Sequence, residues 1–434
     1  MDNLPLFINH YQTKLQINNV FFDIYFVLIF ILLVFLTLKK SLNDQPLSFL
    51  QSNQMRGLGI TLIILNHICY YTEPLPFLYV IWSEAGMIGV AIFLIISGYG
   101  LSISLERKGI QSFFTNRISK ILIPLILALS LLQFLYLTLT SDGGSILLSL
   151  PKILFSMYSL DRKTWFIIFI LFWYCLLYLT YKFQLSNKQR LLFLFLVSFV
   201  IISLPQADSL AKANAFSFPF GCLMGINSSW VKDKINQILK RHIIIVISYL
   251  IAGILGSVFI IWHVGQFQYN SAYSIILWAL LICNVISTIY FGYLYFSKKV
   301  VIRLSSEVIC GTLVIALIYL NYTSQVFDQN ILGEFNIYWG IIRNLANILF
   351  VSTLTLLVSL TLKFKVYSLF LNFLGNISLE LFLIHNTFLI HFDFVLFRFP
   401  IVIGFIIYFL EICFLSVVFK QLCSIMIKRF WPSN

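Results

Sequence analysis

An arginine and a histidine enclose a short apolar stretch near the start of the chain, Arg56 to His67, with ten residues between them. On a helix that rises about 1.5 Å per residue they are separated by roughly 16 Å, about half the thickness of a membrane's hydrocarbon core. If the arginine lies at the water interface, the histidine lies deep in the bilayer. An ionisable group at that depth is costly, which makes His67 a functional-site candidate, and a neutral imidazole there accepts a proton.

Two further ionisable residues lie in a late apolar stretch, Glu380 and His385. They are about a turn and a half apart on a helix, and each needs a partner if that helix is buried. We therefore expect the two to interact with each other and to shape the helix bundle as structural residues. For His67 a structural interpretation also stays open, since an intramembrane histidine can simply hydrogen-bond a neighbouring helix.

The composition indicates a multi-pass membrane protein. Of the 434 residues, 60% are hydrophobic and 10% are charged, with a mean hydropathy of +0.94. A soluble domain carries about 25% charged residues. The net charge of +13 does not indicate nucleic-acid binding, because the basic residues are spread between apolar stretches. Seven cysteines occur singly inside those stretches, which predicts neither a disulfide framework nor a metal site.

About thirteen apolar stretches are long enough, or nearly so, to cross a bilayer, and we predict an all-α bundle of about 11–13 transmembrane helices. The stretches lie near residues 20–38, 55–72, 86–105, 121–140, 165–181, 191–205, 213–229, 243–262, 273–296, 308–322, 338–362, 372–391 and 399–427. The first ends in Lys39-Lys40 and predicts a retained helix rather than a cleaved signal peptide. The expected organisation is a tail with an extra helix (1–49), a membrane domain (50–427) and a short tail (428–434).

The basic residues also predict the orientation of the chain. Most of the 29 lysines and arginines fall in alternate loops, on the side that holds Lys39, Lys40 and Arg56. By the positive-inside rule that side is cytoplasmic. The N-terminus is then outside and the C-terminus cytoplasmic, and His67 lies toward the outer half of the membrane.

Further motifs follow Arg56 and His67 in order along the chain. They are Ser97-Gly98-Tyr99, the basic residues Arg107, Lys108, Arg117 and Lys120 ahead of Pro124, Trp165-Phe166, Phe218-Pro219-Phe220-Gly221, and the stretch from Gly375 to His385. With the Arg-x10-His spacing, this order resembles the acyltransferase-3 family of bacterial membrane acyltransferases, which O-acetylate surface polysaccharides. The resemblance covers roughly residues 50–425, and the stretch Val20–Leu38 that precedes it looks like an addition.

The resemblance implies a multi-pass enzyme of the bacterial cell membrane that takes acetyl-CoA, or another acyl-CoA, from the cytoplasmic face. Phosphates of CoA favour cationic partners at a wet interface. The candidates are Arg56, Arg107, Lys108, Arg117 and Lys120, although each can instead serve only to set the topology.

The acceptor implied by the resemblance is a hydroxyl of a cell-surface or exported polysaccharide, such as a capsule, or of its lipid-linked precursor. His67 is then a general base or a transient acyl carrier, and both roles stay open. Ser97 and Tyr99 are candidate donors to the thioester oxyanion, or else helix-packing residues. Glu73 and Trp165 are candidates for binding the acceptor, although Glu73 can instead orient the base or be an ordinary loop acid.

A second class of function stays open beside the acyltransferase. Polysaccharide polymerases and flippases have a similar length, helix number and basic loops. A transporter should show internal repeats and broken helices that meet in the membrane, and no repeat is visible in the sequence. A polymerase should present arginines on a large outward loop, whereas Arg162, Arg343 and Arg398 are dispersed. Enzymatic acyl transfer is therefore the favoured interpretation.

Overall fold

The structure is a computed structural model, and it describes most of the chain outside one long internal segment. The described residues are 15–16, 21–41, 45–73, 76, 79–111, 113, 119–139, 165–204, 207–241, 364–391, 396 and 399–430, with single helical positions between 341 and 361. The predicted spans 243–262, 273–296 and 308–322 lie outside the described residues, as does Arg117.

Helices make up nearly all of the described chain. They are α1 (Phe22–Leu36), α2 (Phe49–Tyr70), α3 (Tyr79–Lys108), α4 (Ser119–Leu139), α5 (Trp165–Lys182), α6 (Asn187–Ser203), α7 (Ser209–Asn214), α8 (Ser217–Ile226), α9 (Ser228–Arg241), α10 (Leu369–Asn376), α11 (Ser378–His391) and α12 (Ile401–Phe430). Four short strands are β1 (Leu15–Gln16), β2 (Leu38–Lys40), β3 (Thr72–Glu73) and β4 (Val366–Ser368).

The predicted all-α membrane fold is confirmed. Three helical segments of the described chain are long and apolar enough to cross a membrane: Ala85–Lys108, Trp165–Lys182 and Ile401–Ile427. The pair α10–α11 passes the same criterion as one span that bends by 75°. The total of 11–13 spans stays a prediction, because several of the expected helices fall outside the described residues.

Helix α2 occupies the centre of the bundle. Sixteen of its 22 residues are buried, including the consecutive polar residues from Gln51 to Gln54. Ser48 begins the helix by accepting a hydrogen bond from the backbone N–H of Gln51, which satisfies one donor of the first turn. Asn53 donates to the side chains of Asn372 and Asn376 at 2.8 and 2.9 Å, so this buried amide finds its partners in protein rather than in lipid.

Glycines bring α2 against two neighbouring helices. A Cβ on Gly57 would overlap the carbonyl oxygen of Leu371 in α10. A Cβ on Gly89 of α3 would lie 2.6 Å from the carbonyl oxygen of Gly59. Toward the other end of α2, Asn66 packs on Gly86 of α3. Residues 59 and 66 of α2 thus face residues 89 and 86 of α3, which makes the two helices antiparallel.

Helix α1 is docked onto the same core. The ring of Phe26 meets the ring of Phe405 of α12 edge-on, with centroids 4.5 Å apart. At its C-terminal end, strand β2 pairs antiparallel with β4, which places Lys39 opposite Tyr367. Strand β1, which precedes α1, pairs in parallel with β3 directly after α2. The N-terminal part of the chain therefore packs on α12 and pairs with the strands that follow α2 and precede α10.

Candidate functional site

The centre of the candidate site is a contact between two buried histidines from α2 and α11. The Nδ1 atom of His67 lies 2.8 Å from the Nε2 atom of His385, and the two rings are nearly parallel, with an angle of 9° between their planes. His67 is 7% exposed and His385 is 0% exposed. Two imidazoles at this distance and depth share one hydrogen bond.

The second nitrogen of His385 decides which ring donates. Its Nδ1 atom lies 2.8 Å from the carbonyl oxygen of Leu381, one turn earlier on α11. A carbonyl oxygen only accepts, so this Nδ1 carries a hydrogen and, in a neutral ring, Nε2 is the acceptor. The hydrogen bond between the rings then runs from Nδ1–H of His67 to Nε2 of His385. In neutral His67 the lone pair consequently lies on Nε2, the nitrogen that can accept a proton.

His385 is held in place from several directions. The hydroxyl of Tyr408, on α12, donates to the backbone oxygen of His385 at 2.6 Å. The ring of Phe382 packs 6.0 Å from the imidazole, centroid to centroid. After the 75° bend, α11 begins at Ser378, and its third turn brings His385 to α2. The imidazole is therefore held by its hydrogen bonds to His67 and Leu381 and by the ring of Phe382, and Tyr408 holds its backbone.

A line of contacting aromatic rings connects Trp165 to the histidine pair. Its ring centroid is 6.2 Å from that of Phe166, which is 5.2 Å from that of Phe382. Phe382 is the residue that packs on His385. Trp165 is half-buried and begins α5. Two intervening rings thus link this acceptor-binding candidate to His385, and its role with the acceptor stays a prediction.

Ser97 and Tyr99 are not brought to His67. The neighbour of His67 on α2, Asn66, packs on Gly86 of α3. Ser97 and Tyr99 follow Gly86 by about 16 and 20 Å along the axis of α3, at 1.5 Å per residue. Tyr99 is instead buried where Gly225 of α8 packs on α3. The geometry favours the packing interpretation of the Ser-Gly-Tyr motif over a role as oxyanion donor beside His67.

Arg56, Arg107 and Lys108 all lie on the same side of His67 along the bundle. Arg56 is half-buried on α2, about 16 Å from His67 along the axis. Arg107 and Lys108 are exposed at the C-terminal end of α3, beyond the level of Arg56 because α2 and α3 are antiparallel. Lys120 is exposed in the first turn of α4. These positions leave the binding of CoA a prediction.

The two acidic candidates lie on β3 and on α11. Glu73 is exposed in β3, six residues after His67. Glu380 is buried on α11, and the two ring nitrogens of His385 bond to His67 and to the Leu381 carbonyl. The structural role expected for Glu380 and His385 as a pair stays a prediction. Among the described residues, no three His, Cys, Asp or Glu side chains form a cluster that could hold a metal ion.

Comparison with known protein families identifies the chain as a relative of membrane acyltransferases. Residues 49–306, more than half of the chain, match the acyltransferase domain of the acyltransferase-3 family. The chain belongs to the acyltransferase-3 family. No curated protein and no solved structure matches the chain significantly.

Only one histidine of the pair lies within the residues that match the acyltransferase-3 domain. His67 lies inside the matched residues, whereas His385 lies after them and α1 lies before them. The structure therefore joins the acyltransferase-3 domain to residues on both sides of it. Sequence reasoning missed the contact between the two histidines, because 318 residues separate them.

Asp23 is a second residue of this region that the sequence reasoning missed. It is 0% exposed and lies in the first turn of α1. Its carboxylate accepts a hydrogen bond from the indole N–H of Trp82, whose backbone oxygen in turn accepts one from Asn66. The signal that could have found it was present, since Asp23 is an acid inside an apolar stretch, as Glu380 is.

Proposed function

We propose that this membrane acyltransferase transfers an acetyl group from cytoplasmic acetyl-CoA to a hydroxyl of a cell-surface or exported polysaccharide or of its lipid-linked precursor. The observation that carries the proposal is the buried hydrogen bond between Nδ1 of His67 and Nε2 of His385. It leaves the lone pair of neutral His67 on Nε2, and a positioned neutral imidazole is the usual general base for activating a hydroxyl.

The proposed reaction is a single transfer with His67 as base. As the acceptor oxygen attacks the thioester carbonyl carbon, its hydroxyl proton moves to Nε2 of His67. The carbon–sulfur bond then breaks, and the departing CoA thiolate takes the proton back from Nε2. The products are the O-acyl ester and CoA with a free thiol, and the histidine returns to its neutral form.

His385 supports this step electrostatically. When Nε2 of His67 takes the proton, the ring becomes an imidazolium and its Nδ1–H becomes a charged donor toward Nε2 of His385. A hydrogen bond with a charged donor is roughly twice as strong as a neutral one, and the effect is larger where water is excluded. The contact therefore stabilises the protonated base more than the neutral base, which is the differential stabilisation that a transition state needs.

The basic residues support a donor that approaches from the side of Arg56. Arg56 lies about 16 Å from His67 along α2, and Arg107 and Lys108 lie farther in the same direction. CoA places its phosphates far from its thioester, so cations at a distance from the base suit this donor. The acceptor then approaches from the opposite side of His67. Trp165, connected to the histidine pair through the rings of Phe166 and Phe382, is a candidate to bind it.

The observations favour acyl transfer over glycan transport or polymerisation. The bend between α10 and α11 is a feature that transporters also show, but a transporter needs a repeat-related partner for such a helix. Within the described part of the chain, this is the only helix pair of that kind. Membership of the acyltransferase-3 family favours acyl transfer over both alternatives.

The full chain in detergent, supplied with acetyl-CoA and a de-O-acetylated capsular polysaccharide, tests the proposal. We expect release of CoA thiol that depends on the polysaccharide, and mass spectrometry should find new acetyl esters on sugar hydroxyls. Thiol release that is equal without glycan, or that yields no ester on any of a panel of hydroxylated glycans and lipid-linked sugars, would contradict it. Repeating the assay with propionyl-CoA and longer donors determines the acyl group.

A further inference from the structure

A buried carboxylate on α1 is connected through Trp82 and Asn66 to the helix that carries His67, the proposed base, and lies outside the residues that match the acyltransferase domain. Asp23 is 0% exposed in the first turn of α1, and the match begins at residue 49. An acidic side chain at this depth in a membrane bundle is costly to keep unless its oxygens are held by donors. Its partners therefore show what it contributes.

The carboxylate of Asp23 is held from both oxygens. Oδ1 accepts a hydrogen bond from the backbone N–H of Ile24 at 2.9 Å, and Oδ2 accepts one from the indole N–H of Trp82 at 3.1 Å. The first turn of a helix also favours a negative charge, because its backbone N–H groups point toward it. The position and orientation of the Trp82 side chain on α3 are thereby fixed from α1.

Trp82 is in turn hydrogen-bonded to α2, the helix that carries His67. Its backbone oxygen accepts a hydrogen bond from Nδ2 of Asn66 at 2.6 Å. Asn66 directly precedes His67, and on its other side it packs on Gly86 so closely that no Cβ would fit there. The backbone at His67 is consequently fastened to α3 by a residue that α1 itself holds in place.

Helix α1 also packs on α12, the helix that holds the backbone of His385. Phe22 and Phe26 both pack on Phe405 of α12, with ring centroids 6.5 and 4.5 Å apart. One turn later on α12, Tyr408 donates its hydroxyl to the backbone oxygen of His385. The helix that carries Asp23 therefore rests on the helix that fixes His385.

We propose that Asp23 is a positioning residue for His67, acting through Trp82 and Asn66, and that α1 belongs to the catalytic unit. The inference rests on the proposed function of His67 as base. Asp23 is too deeply buried to contact the substrate, so its effect is on the alignment of Nε2 of His67 with the acceptor hydroxyl. A displacement of about 1 Å at a reacting group can lower a rate by about a hundredfold.

Two substitutions remove the same hydrogen bond from opposite sides. Asp23→Leu removes the acceptor, and Trp82→Phe removes the donor while the ring and the backbone oxygen stay. We expect each to lower kcat about tenfold or more with little change in KM for acetyl-CoA. The double variant should be no slower than the slower single variant, since both break one contact. Asp23→Asn should retain most of kcat, because the amide oxygen still accepts from Trp82.

Thr37→Val, directly after the last residue of α1, is the matched control. Thr37 contacts Ser368 at 3.1 Å through its hydroxyl, at the opposite end of α1 from Asp23. This variant should keep kcat, because it weakens the docking of α1 without touching the path to His67. If it loses as much kcat as Asp23→Leu, or if Asp23→Leu and Trp82→Phe both keep kcat per folded molecule, the positioning role is wrong.

A readout that does not need the acceptor separates this inference from the proposed function. Diethyl pyrocarbonate acylates neutral imidazole nitrogens, and the rate at residue 67 can be followed by peptide mass spectrometry. We expect a changed rate in Trp82→Phe and an unchanged rate in Thr37→Val. An inactive wild-type protein would refute acyl transfer, whereas an active wild-type protein with unchanged His67 reactivity and kcat in Trp82→Phe would refute only the role of Asp23.

Discussion

Nε2 of His385 faces Nδ1 of His67 at 2.8 Å, and its own Nδ1 faces the carbonyl oxygen of Leu381 at the same distance. The two contacts together determine the direction of every hydrogen along this line. They make His385 an acceptor toward His67 and leave Nε2 of neutral His67 as the basic atom. A histidine thus occupies the position that a carboxylate holds behind the base in serine hydrolases.

Substitutions of His385 should separate its role as hydrogen-bond acceptor from its role in filling space. His385→Leu fills part of the space but offers no acceptor to Nδ1 of His67, so we expect kcat to fall about a hundredfold. His385→Gln can place its amide oxygen near the former Nε2 atom and should recover part of that loss. The measurement is kcat per folded protein at saturating acetyl-CoA. Equal activity of the two variants would show that the acceptor atom has no role.

The role of His67 as base, rather than as acyl carrier, predicts the form of the early kinetics. Without an acceptor, a base has nothing to activate, so mixing the protein with acetyl-CoA should give no rapid release of thiol. An acyl carrier would instead release about one equivalent in a burst and retain the label on residue 67. Stopped-flow thiol detection and acid quench with labelled acetyl-CoA distinguish the two. A labelled His67 peptide would require the covalent mechanism.

Arg56→Ala should weaken the binding of acetyl-CoA more than it slows the acyl-transfer step. The guanidinium is about 16 Å from His67 along α2, too far to touch the reacting carbonyl but suitably placed for a phosphate of CoA. We expect KM for acetyl-CoA to rise about tenfold, with kcat changed much less. Arg56→Lys keeps the charge without the planar fork and should be intermediate. Unchanged dependence on acetyl-CoA in Arg56→Ala would remove Arg56 from the donor site.

The close approach of α2 and α10 predicts a sensitive glycine. A Cβ on Gly375 would overlap the backbone oxygen of Asn53, so Gly375→Ala must push the two helices apart. We expect a loss of stability of about 1–3 kcal/mol, as for other overpacked interiors. It is measured as a lower midpoint of thermal unfolding in detergent. Gly100→Ala is the control, because a Cβ there meets no atom within 4 Å, and it should unfold at the wild-type temperature.

Hydropathy predicted the helices that face lipid and was least accurate where a helix is buried in protein. The stretch predicted at 165–181 is α5, Trp165–Lys182, within one residue. Helix α2 was predicted to begin near residue 55 but begins at Phe49, because the polar residues from Gln51 to Gln54 are covered by neighbouring helices. Likewise the stretch predicted at 372–391 contains a 75° bend that no apolar average records.

The candidate site was predictable only in part, for a related reason. Arg56 and His67 share one helix, so their spacing is written in the sequence. The contact between His67 and His385 depends on the packing of α11 against α2 across 318 residues of chain. The helix of Asp23 was predicted to be an addition because it precedes the residues that resemble the family. The connection of Asp23 to His67 runs through Trp82, a residue with no charge and no motif, so the sequence gives no sign of it.

The central claim is that proton acceptance by His67 drives acyl transfer, and a comparison of two variants of α2 tests it most directly. His67→Ala removes the base, and Thr61→Val removes another buried polar group of the same helix, whose hydroxyl bonds only locally to the Gly57 carbonyl at 2.9 Å. At saturating acetyl-CoA and glycan, kcat of His67→Ala should be about 100-fold to 10,000-fold below wild type, the usual contribution of a general base. Thr61→Val should stay near wild type. A folded His67→Ala protein that transfers acetyl groups as fast as Thr61→Val would contradict the account.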